Sequence, residues 1–297
     1  MSRDERSIDL LHEDPDLFLA SVNFTAATTT FAPRLIEKDY FCSVLLRHIF
    51  GKLDTPPVFK GGTCLAKVYA GFYRLSEDLD FMIPMRVESK RSDRRRQVDS
   101  LKKMIAALPG ILPAFRLIEP LKGFNESTQY IGVLGYPSLI YRQMETIKIE
   151  VGLREPLLLP STRQKAGTII LDPISTKPMV KPFPITCISK KEAYAEKFRA
   201  ALTRRDAAIR DFFDIDYAVR QLGLEIRDSS LVRIIQSKLE VPGNESIDVT
   251  GKRLESLRLQ KESQLRPVLR DPDYQAFDLE RAFGLIRDIV SLLGKKP

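Results

Sequence analysis

The stretch FKGGTCLAKVYAGFYRLSEDLDFMI, residues 59–83, decides the fold of the N-terminal part of this chain. A short strand over 57–60 leads into it and turns at a Gly-Gly pair. A helix is predicted from about residue 63 to 71, and an apolar strand around 79–83 ends the stretch. Strands that alternate with helices in this way predict an α/β fold.

Asp78 and Asp80 lie two residues apart at the start of the second strand. On an extended strand both side chains point to the same face, so the carboxylates lie side by side. Two adjacent anions raise a pKa unless a cation neutralises them. Mg²⁺ takes oxygen ligands, usually one or two carboxylates plus substrate phosphates. Asp78 and Asp80 are therefore candidate ligands of Mg²⁺ or Mn²⁺; the alternative is a solvated strand edge.

The glycine turn upstream of this pair has the chemistry of a phosphate site. Gly61 and Gly62 allow a phosphate to approach the backbone, and the helix that follows offers unpaired amides. Thr63 adds a hydroxyl, and Ser76 and Lys60 are further candidates. The alternative is an ordinary turn without a ligand.

A third carboxylate is needed if the site uses two metal ions. The segment METIKIEVGLR, residues 144–154, alternates as a strand, with Ile147, Ile149 and Val151 on one face. Glu150 lies on the opposite, polar face and is the candidate. Its alternative role is that of a cross-strand partner for a Lys or Arg.

The rest of the chain indicates two parts. Helices are predicted over 33–50, ending at Gly51, and over 89–108, the second strongly basic; strands are predicted over 114–118, 128–141 and 145–154. A proline-rich segment, 155–187, precedes a capping box formed by Ser189 and Glu192. The sequence therefore predicts an α/β domain over 1–185 and a helical domain over 186–297.

Composition narrows the function classes. The 297 residues carry 47 Lys and Arg against 39 Asp and Glu, a formal net charge of +8, which favours polyanionic partners. Three distant cysteines and two histidines without metal-ligand spacing argue against a disulfide framework, zinc hydrolysis and His-based triads. No apolar run of membrane-spanning length and no secretory signal are evident, so a cytoplasmic protein without a membrane partner is expected.

KGGTCL followed by RLSEDLDF resembles the nucleotidyltransferase toxins of the AbiEii/AbiGii abortive-infection type, within the DNA polymerase β-like nucleotidyltransferase superfamily. The resemblance extends to IEKDY, residues 36–40, and to AEKFRAALTRRDAAIRDFFDIDYA, residues 195–218. It implies a mixed sheet flanked by helices and an all-helical C-terminal lobe that closes the cleft. It also implies Mg²⁺, a nucleoside triphosphate (NTP), an antitoxin partner and transfer of a nucleotide to the 3′ end of tRNA.

The resemblance also implies roles for the downstream block. Lys197 and Arg210 would neutralise charge in the transition state, and Asp211 would be a base or a positioning group. The alternative for this block is an ion-pair network on a helix surface. Arg74, just before Ser76, is a separate candidate to steady the triphosphate or the acceptor end. Alternative functions are transfer to a protein or small-molecule hydroxyl, and a nucleotide-binding partner protein without catalysis.

Helix geometry adds a constraint to these roles. Lys197, Arg204 and Asp211 are spaced by seven, but 14 residues of continuous helix extend about 21 Å. Lys197 and Asp211 can therefore reach one triphosphate only if the helix breaks between them. We predict a turn near 204–206, with Asp206 as the N-cap of a new helix that ends at Gly223. Two questions stay open: whether the basic helix is a solvated face or an RNA groove, and whether Phe212, Phe213 and Tyr217 form core or a stacking platform, with core favoured.

Overall fold

The computed structural model describes residues 8–294 and divides the chain into two compact units, Met1–Ile188 and Ser189–Pro297. The division falls three residues beyond the end of the predicted α/β domain. Within the described range, no helix has both the length and the apolar character needed to cross a membrane.

The N-terminal unit is built on a seven-stranded mixed sheet in the order β3-β4-β5-β2-β1-β7-β6. Only the pairs β2–β5 and β1–β7 are parallel; the others are antiparallel. The strands are β1 (Val58–Lys60), β2 (Leu79–Met82), β3 (Arg116–Phe124), β4 (Gln129–Pro137), β5 (Met144–Gly152), β6 (Thr162–Ala166) and β7 (Phe183–Cys187). The helices are α1 (Pro15–Thr29), α2 (Pro33–Lys52), α3 (Gly61–Cys64) and α4 (Arg91–Ile111). The predicted mixed sheet flanked by helices is confirmed.

One face of the sheet forms the core of this unit. Ile147, Ile149 and Val151 of β5 are fully buried, as the alternation of their segment predicts. Helix α2 is buried along most of its length, and its Phe41 ring stacks on Tyr136 of β4 with centroids 4.2 Å apart. Apolar burial on this face leaves the opposite face of β5 for polar side chains.

The IEKDY segment lies in α2 and is buried. The Asp39 Oδ1 atom lies 2.5 Å from the Nζ atom of Lys67, and its Oδ2 atom accepts a hydrogen bond from the Thr168 hydroxyl. Lys67 also donates to the Ser43 hydroxyl. It belongs to a π-helical turn, Leu65–Tyr69, that continues α3. The ion pair therefore ties the segment that follows the glycine turn to α2.

The C-terminal unit is helical. Its helices are α5 (Lys190–Thr203), α6 (Ile209–Leu222), α7 (Ser229–Leu239), α8 (Gly251–Arg258), α9 (Asp271–Ala276) and α10 (Leu279–Leu293). Ser189 caps α5 by accepting a hydrogen bond from the Glu192 amide, and Gly223 ends α6 with φ +66°. Phe212 and Phe213 are fully buried, which confirms that they form core.

The predicted helix break is confirmed, but its capping residue is not. Helix α5 ends at Thr203 and α6 begins at Ile209, so the turn includes 204–206. The N-cap residue is Ala208 and not Asp206. The side chain of Gln260 replaces the expected cap, because its Oε1 atom accepts from the Ile209 amide and its Nε2 atom donates to the Ala207 carbonyl.

Several boundary predictions are wrong. The strand predicted over 128–141 ends at Pro137, and the helix predicted from about residue 63 begins at Gly61. Helix α2 continues through Gly51 to Lys52, because an exposed glycine in the last turn lowers helix propensity without breaking the helix. Helix α4 contains Pro109 and ends at Ile111. The third strand runs over Arg116–Phe124, longer than the predicted 114–118, because it pairs along most of β4.

The buried Lys67–Asp39 ion pair predicts that loss of its cation lowers the free energy of unfolding of the N-terminal unit. Lys67→Met leaves the Asp39 carboxylate buried without its cation, so we expect it to destabilise the N-terminal unit by about 3–5 kcal/mol. All three cysteines are buried in this unit, so the urea dependence of thiol labelling reports its unfolding. Lys103→Met is the control, because Lys103 pairs with Asp99 on the exposed surface of α4. Equal losses of unfolding free energy in the two variants would contradict a structural role for the Lys67–Asp39 pair.

Candidate active site

Strand register gathers polar side chains on the open face of the sheet. Asp80 of β2 lies directly opposite Lys60 of β1 on one side and Glu150 of β5 on the other. Asp78 precedes Asp80 by two residues at the entrance to β2. The structure therefore brings together both acids of the predicted pair, Glu150 and Lys60.

The glycine turn is in direct contact with the acidic pair. Gly61 follows β1 with φ +77°, and a Cβ atom built on it would lie 2.1 Å from Oδ2 of Asp80. Any other residue would meet both the Asp80 carboxylate and a backbone conformation that L side chains rarely adopt. Only glycine at position 61 allows the Asp80 carboxylate to pack directly against the turn.

The second glycine gathers two further candidates. A Cβ atom on Gly62 would lie 2.5 Å from Nη2 of Arg74 and 3.2 Å from the Ser76 hydroxyl. Arg74 is buried, lies over the Tyr73 ring and donates to the Leu75 carbonyl. Arg74 and Ser76 thus lie beside the glycine turn, as a phosphate site requires.

Thr63 has a structural contact that the sequence did not indicate. Its hydroxyl donates to the main-chain carbonyl of Asp78 over 2.5 Å, and the side chain is buried. The hydroxyl thus anchors the acidic pair to the turn. The main-chain amide of Thr63, in the first turn of α3, is the group of this residue that remains a candidate for phosphate.

Lys148 lies between two of the acids and was missed by the sequence analysis. Its Nζ atom is 3.5 Å from Oδ2 of Asp78 and 3.4 Å from Oε2 of Glu150. Burial lowers the pKa of Lys148, but these carboxylates outweigh it and the net pKa is raised. Gln129 of β4 donates to the other Glu150 oxygen over 2.8 Å. Glu150 thus has the ion-pair contact that the sequence analysis offered as the alternative to metal binding.

The charge of Asp80 is only partly balanced by the lysines near it, Lys60 and Lys148. Burial raises its pKa to about 6, Glu150 and Asp78 add to the rise, and Lys60 opposes it. The charged form of Asp80 is therefore costly in this environment. A cation at this carboxylate would relieve that cost.

The acids fit a hard divalent ion that completes its shell with phosphate. Asp78 and Asp80 supply two carboxylates, the number that Mg²⁺ commonly takes alongside substrate oxygens. Among the described residues, no group of three or more His, Cys, Asp and Glu side chains is arranged to hold a metal ion. Two carboxylates are fewer ligands than Mg²⁺ takes, so substrate oxygens and water would have to complete the shell of an ion held here.

The candidates of the C-terminal unit meet across its first helical hairpin. Lys197 of α5 lies 2.7 Å from Oδ1 of Asp211 and 2.8 Å from Oδ2 of Asp214, both on α6. Arg204 reaches the other Asp211 oxygen over 3.1 Å. Arg210, beside Asp211, is half-buried. The break in the helix is what allows Lys197 and Asp211 to meet, although they stand fourteen residues apart.

A second ion-pair cluster next to Asp78 was also missed. Glu77 accepts from Arg34 over 2.7 Å and from Lys38 over 2.9 Å, and Arg34 reaches Glu145 as well. Burial raises the pKa of Glu77, but Lys38 and Arg34 outweigh it and the net pKa is lowered. Lys38 belongs to the IEKDY segment and Glu77 to RLSEDLD. The presence of both motifs in the sequence was the signal that could have indicated this ion pair.

The family comparison agrees with this geometry. Residues 44–285 match the family described as nucleotidyl transferase AbiEii toxin, type IV toxin–antitoxin system. This match covers most of the chain. The chain therefore belongs to the AbiEii family of nucleotidyl transferase toxins, a family that works with a divalent metal, an NTP and an antitoxin.

Solved structures show a more distant likeness. Two crystal structures from Helicobacter pylori, a protein proposed to be a nucleotidyltransferase and the protein JHP933, each align with a TM-score of 0.46 and 16% identity. The alignments cover 88% of this chain, and 90% and 88% of the respective Helicobacter chains. No curated protein matches the chain.

The contact between Gly61 and Asp80 predicts a large effect from one methyl group. Gly61→Ala forces the Asp80 carboxylate away from the turn, so we expect nucleotidyl transfer to fall by roughly a hundredfold. The measurement is the initial rate of label transfer from an NTP at saturating concentration.

Gly71→Ala is the matched control for this variant. Gly71 also has a positive φ, +57°, but a Cβ atom there meets nothing within 4 Å. It therefore carries the backbone strain without the collision. Equal losses in the two variants would show that strain, and not the position of Asp80, explains the effect.

The raised pKa of Asp80 predicts a dependence of stability on pH. The folded chain holds the Asp80 proton more tightly than the unfolded chain, so this group's contribution to stability is lost as pH rises from about 4 through about 6. Asp80→Asn removes that loss. In the absence of divalent ions we expect the variant to be more stable than wild type above pH 6 by about 1–3 kcal/mol, a gain that shrinks toward pH 4.

Thiol labelling in urea at several pH values measures this difference. Glu119→Gln, at an exposed acid of β3, is the control and should keep the wild-type pH profile. An Asp80→Asn profile parallel to wild type at all pH values would show that Asp80 is not an uncompensated charge.

Proposed function

We propose that this AbiEii-family toxin transfers a nucleoside monophosphate from an NTP to the 3′ hydroxyl of an RNA, with the acceptor end of tRNA as the target and Mg²⁺ as the metal. The observation that carries the proposal is the contact between the Asp80 carboxylate and Gly61. It places an acid whose charge burial disfavours against a turn suited to phosphate.

Asp78 and Asp80 are the residues that would hold the ion. When bound, Mg²⁺ neutralises phosphate charge and lowers the pKa of an attacking hydroxyl. In the reaction the RNA 3′ oxygen bonds to the α-phosphorus and the bond from that phosphorus to the α–β bridging oxygen breaks. Pyrophosphate leaves, and the hydroxyl proton passes to a base or to water.

The glycine turn would orient the triphosphate. Gly61 and Gly62 let the phosphates approach the backbone, and Arg74 and Ser76 lie beside Gly62 with a guanidinium and a hydroxyl. Lys60, opposite Asp80 in the strand register, supplies another positive charge on the same face. Together these groups favour a bound polyphosphate chain over a single carboxylate ligand.

For the C-terminal unit we propose one charge-neutralising pair and one positioning acid. Lys197 and Arg210 would neutralise charge that develops during transfer. Both oxygens of Asp211 accept from cations, Oδ1 from Lys197 and Oδ2 from Arg204. This arrangement favours the positioning role for Asp211 over the role of base.

An RNA acceptor is supported by charge. The net charge of +8 attracts polyanions, and α4 exposes a row of basic side chains: Arg91, Arg95, Arg96, Lys102 and Lys103. Arg96 and Lys103 pair with acids of the same helix, so only part of the row is available to phosphate. Acceptors without phosphates, such as a protein hydroxyl, would leave this surface without a role.

Labelled transfer tests the proposal. We expect protein incubated with Mg²⁺, each labelled NTP in turn and total tRNA to label RNA at its 3′ end. Asp80→Asn should reduce the rate by at least about a hundredfold, because the ion and the triphosphate lose their shared contact. Glu119→Gln is the control and should keep the wild-type rate, since Glu119 is exposed on β3.

Three outcomes would contradict the proposal. Label in a protein band would assign a protein acceptor, and label in a small molecule alone would assign that class. Growth arrest that survives Asp80→Asn, with no label in any fraction, would indicate a nucleotide-binding protein without catalysis.

A further inference from the structure

A basic cleft in the N-terminal unit lies apart from the acidic strand. Its volume is about 490 Å³, within the range of ligand pockets. One wall is the last turn and a half of α2, and the other is the segment that enters β7. It is lined by Arg47, His48, Phe50, Gly51, Lys52, Lys181, Pro182, Phe183 and Pro184.

The charge of the cleft has one sign. Arg47 and Lys52 come from α2 and Lys181 comes from the opposite wall, and all three side chains are exposed. None of the described residues that line the cleft is acidic. Within residues 11–294, no carboxylate forms an ion pair with these three cations. Their charge therefore remains available to an anion.

The walls between the cations are apolar. Phe50 is half-buried and packs on Phe81 of β2, and Phe183 is buried at the start of β7. Pro182 and Pro184 flank Phe183 and are exposed. Exposed cations beside exposed proline rings suit single-stranded nucleic acid, which offers backbone phosphates and the apolar faces of unpaired bases.

The cleft does not belong to the candidate active site. Strands β1 and β7 run parallel, with Phe59 opposite Cys187. The glycine turn follows the end of β1, whereas Phe183 and Pro184 lie at the beginning of β7. Phe183 and Cys187 are four residue steps apart along the strand, which corresponds to about 13 Å.

We propose that this cleft binds the phosphodiester backbone of single-stranded RNA through Arg47, Lys52 and Lys181. Cations on both walls fit a strand that passes between them. That the bound strand belongs to the acceptor RNA rests on the proposed function.

The test measures RNA binding without chemistry. Fluorescence anisotropy follows a labelled 12-nucleotide single-stranded RNA in the absence of NTP. We expect Arg47→Glu/Lys181→Glu to weaken binding by at least about tenfold. In the double variant Arg47→Gln/Lys181→Gln, the plot of log binding constant against log salt concentration should have a slope shallower by about 1.4. Each lost phosphate contact to a single strand contributes about 0.7 to this slope.

The matched control is Arg116→Glu/Lys122→Glu. These two exposed cations of β3 give the same change in net charge, from +8 to +4, at another surface. The control should change the affinity less than about twofold. Equal losses in the two charge-reversed variants would overturn the proposal, because they would reveal an effect of net charge alone.

Other ligands give distinguishable results. A nucleoside monophosphate that competes fully at an equal nucleotide concentration would identify a mononucleotide pocket and overturn the proposal, as would a duplex RNA that binds the cleft equally well. Unchanged RNA affinity in the cleft variants would also overturn it. Because the assay contains no NTP, it gives its answer even if no nucleotidyl transfer to RNA is detected.

Discussion

The contact of the Asp80 carboxylate with the α-carbon of Gly61 is the constraint on which the N-terminal site depends. It requires β2 to lie between β1 and β5 in one register, so that Asp80 faces Lys60 and Glu150. It also requires a residue without a side chain at the end of β1. Sheet order, register and turn are thus coupled at one point, where the acidic side chains collect beside the glycine turn.

Ion pairs with helix α2 hold the segments on either side of the Gly61–Asp80 contact. Lys67 connects the turn that follows Gly61 to Asp39 of α2, and Lys38 of the same helix holds Glu77 beside Asp78. The IEKDY segment therefore acts on the site through packing and charge, without supplying a group to it. In the C-terminal unit, Lys197 holds two acids of α6 in the same way.

Local rules of sequence predicted what depends on local geometry. The alternation of β5 gave its buried face, and the rise of a helix required a break between Lys197 and Asp211. Contacts between distant segments could not be predicted in this way. Lys148 meets Asp78 only because β2 and β5 pair in parallel across more than 60 residues of chain, and Gln260 caps α6 from about 50 residues away. The succession of strand, glycine turn, helix and strand within residues 59–83 predicted that the turn faces the acidic pair. Composition and spacing do not fix the strand order that places Glu150 beside Asp80.

Lys148 gives the site a counterion of its own. Its ammonium group already partly balances Asp78 and Glu150. Under the proposed function, a divalent ion at Asp78 would compete with this ammonium group for the carboxylate. Its occupancy would then depend on the substrate, because a triphosphate would bring oxygens to the ion and offer a new anion to Lys148.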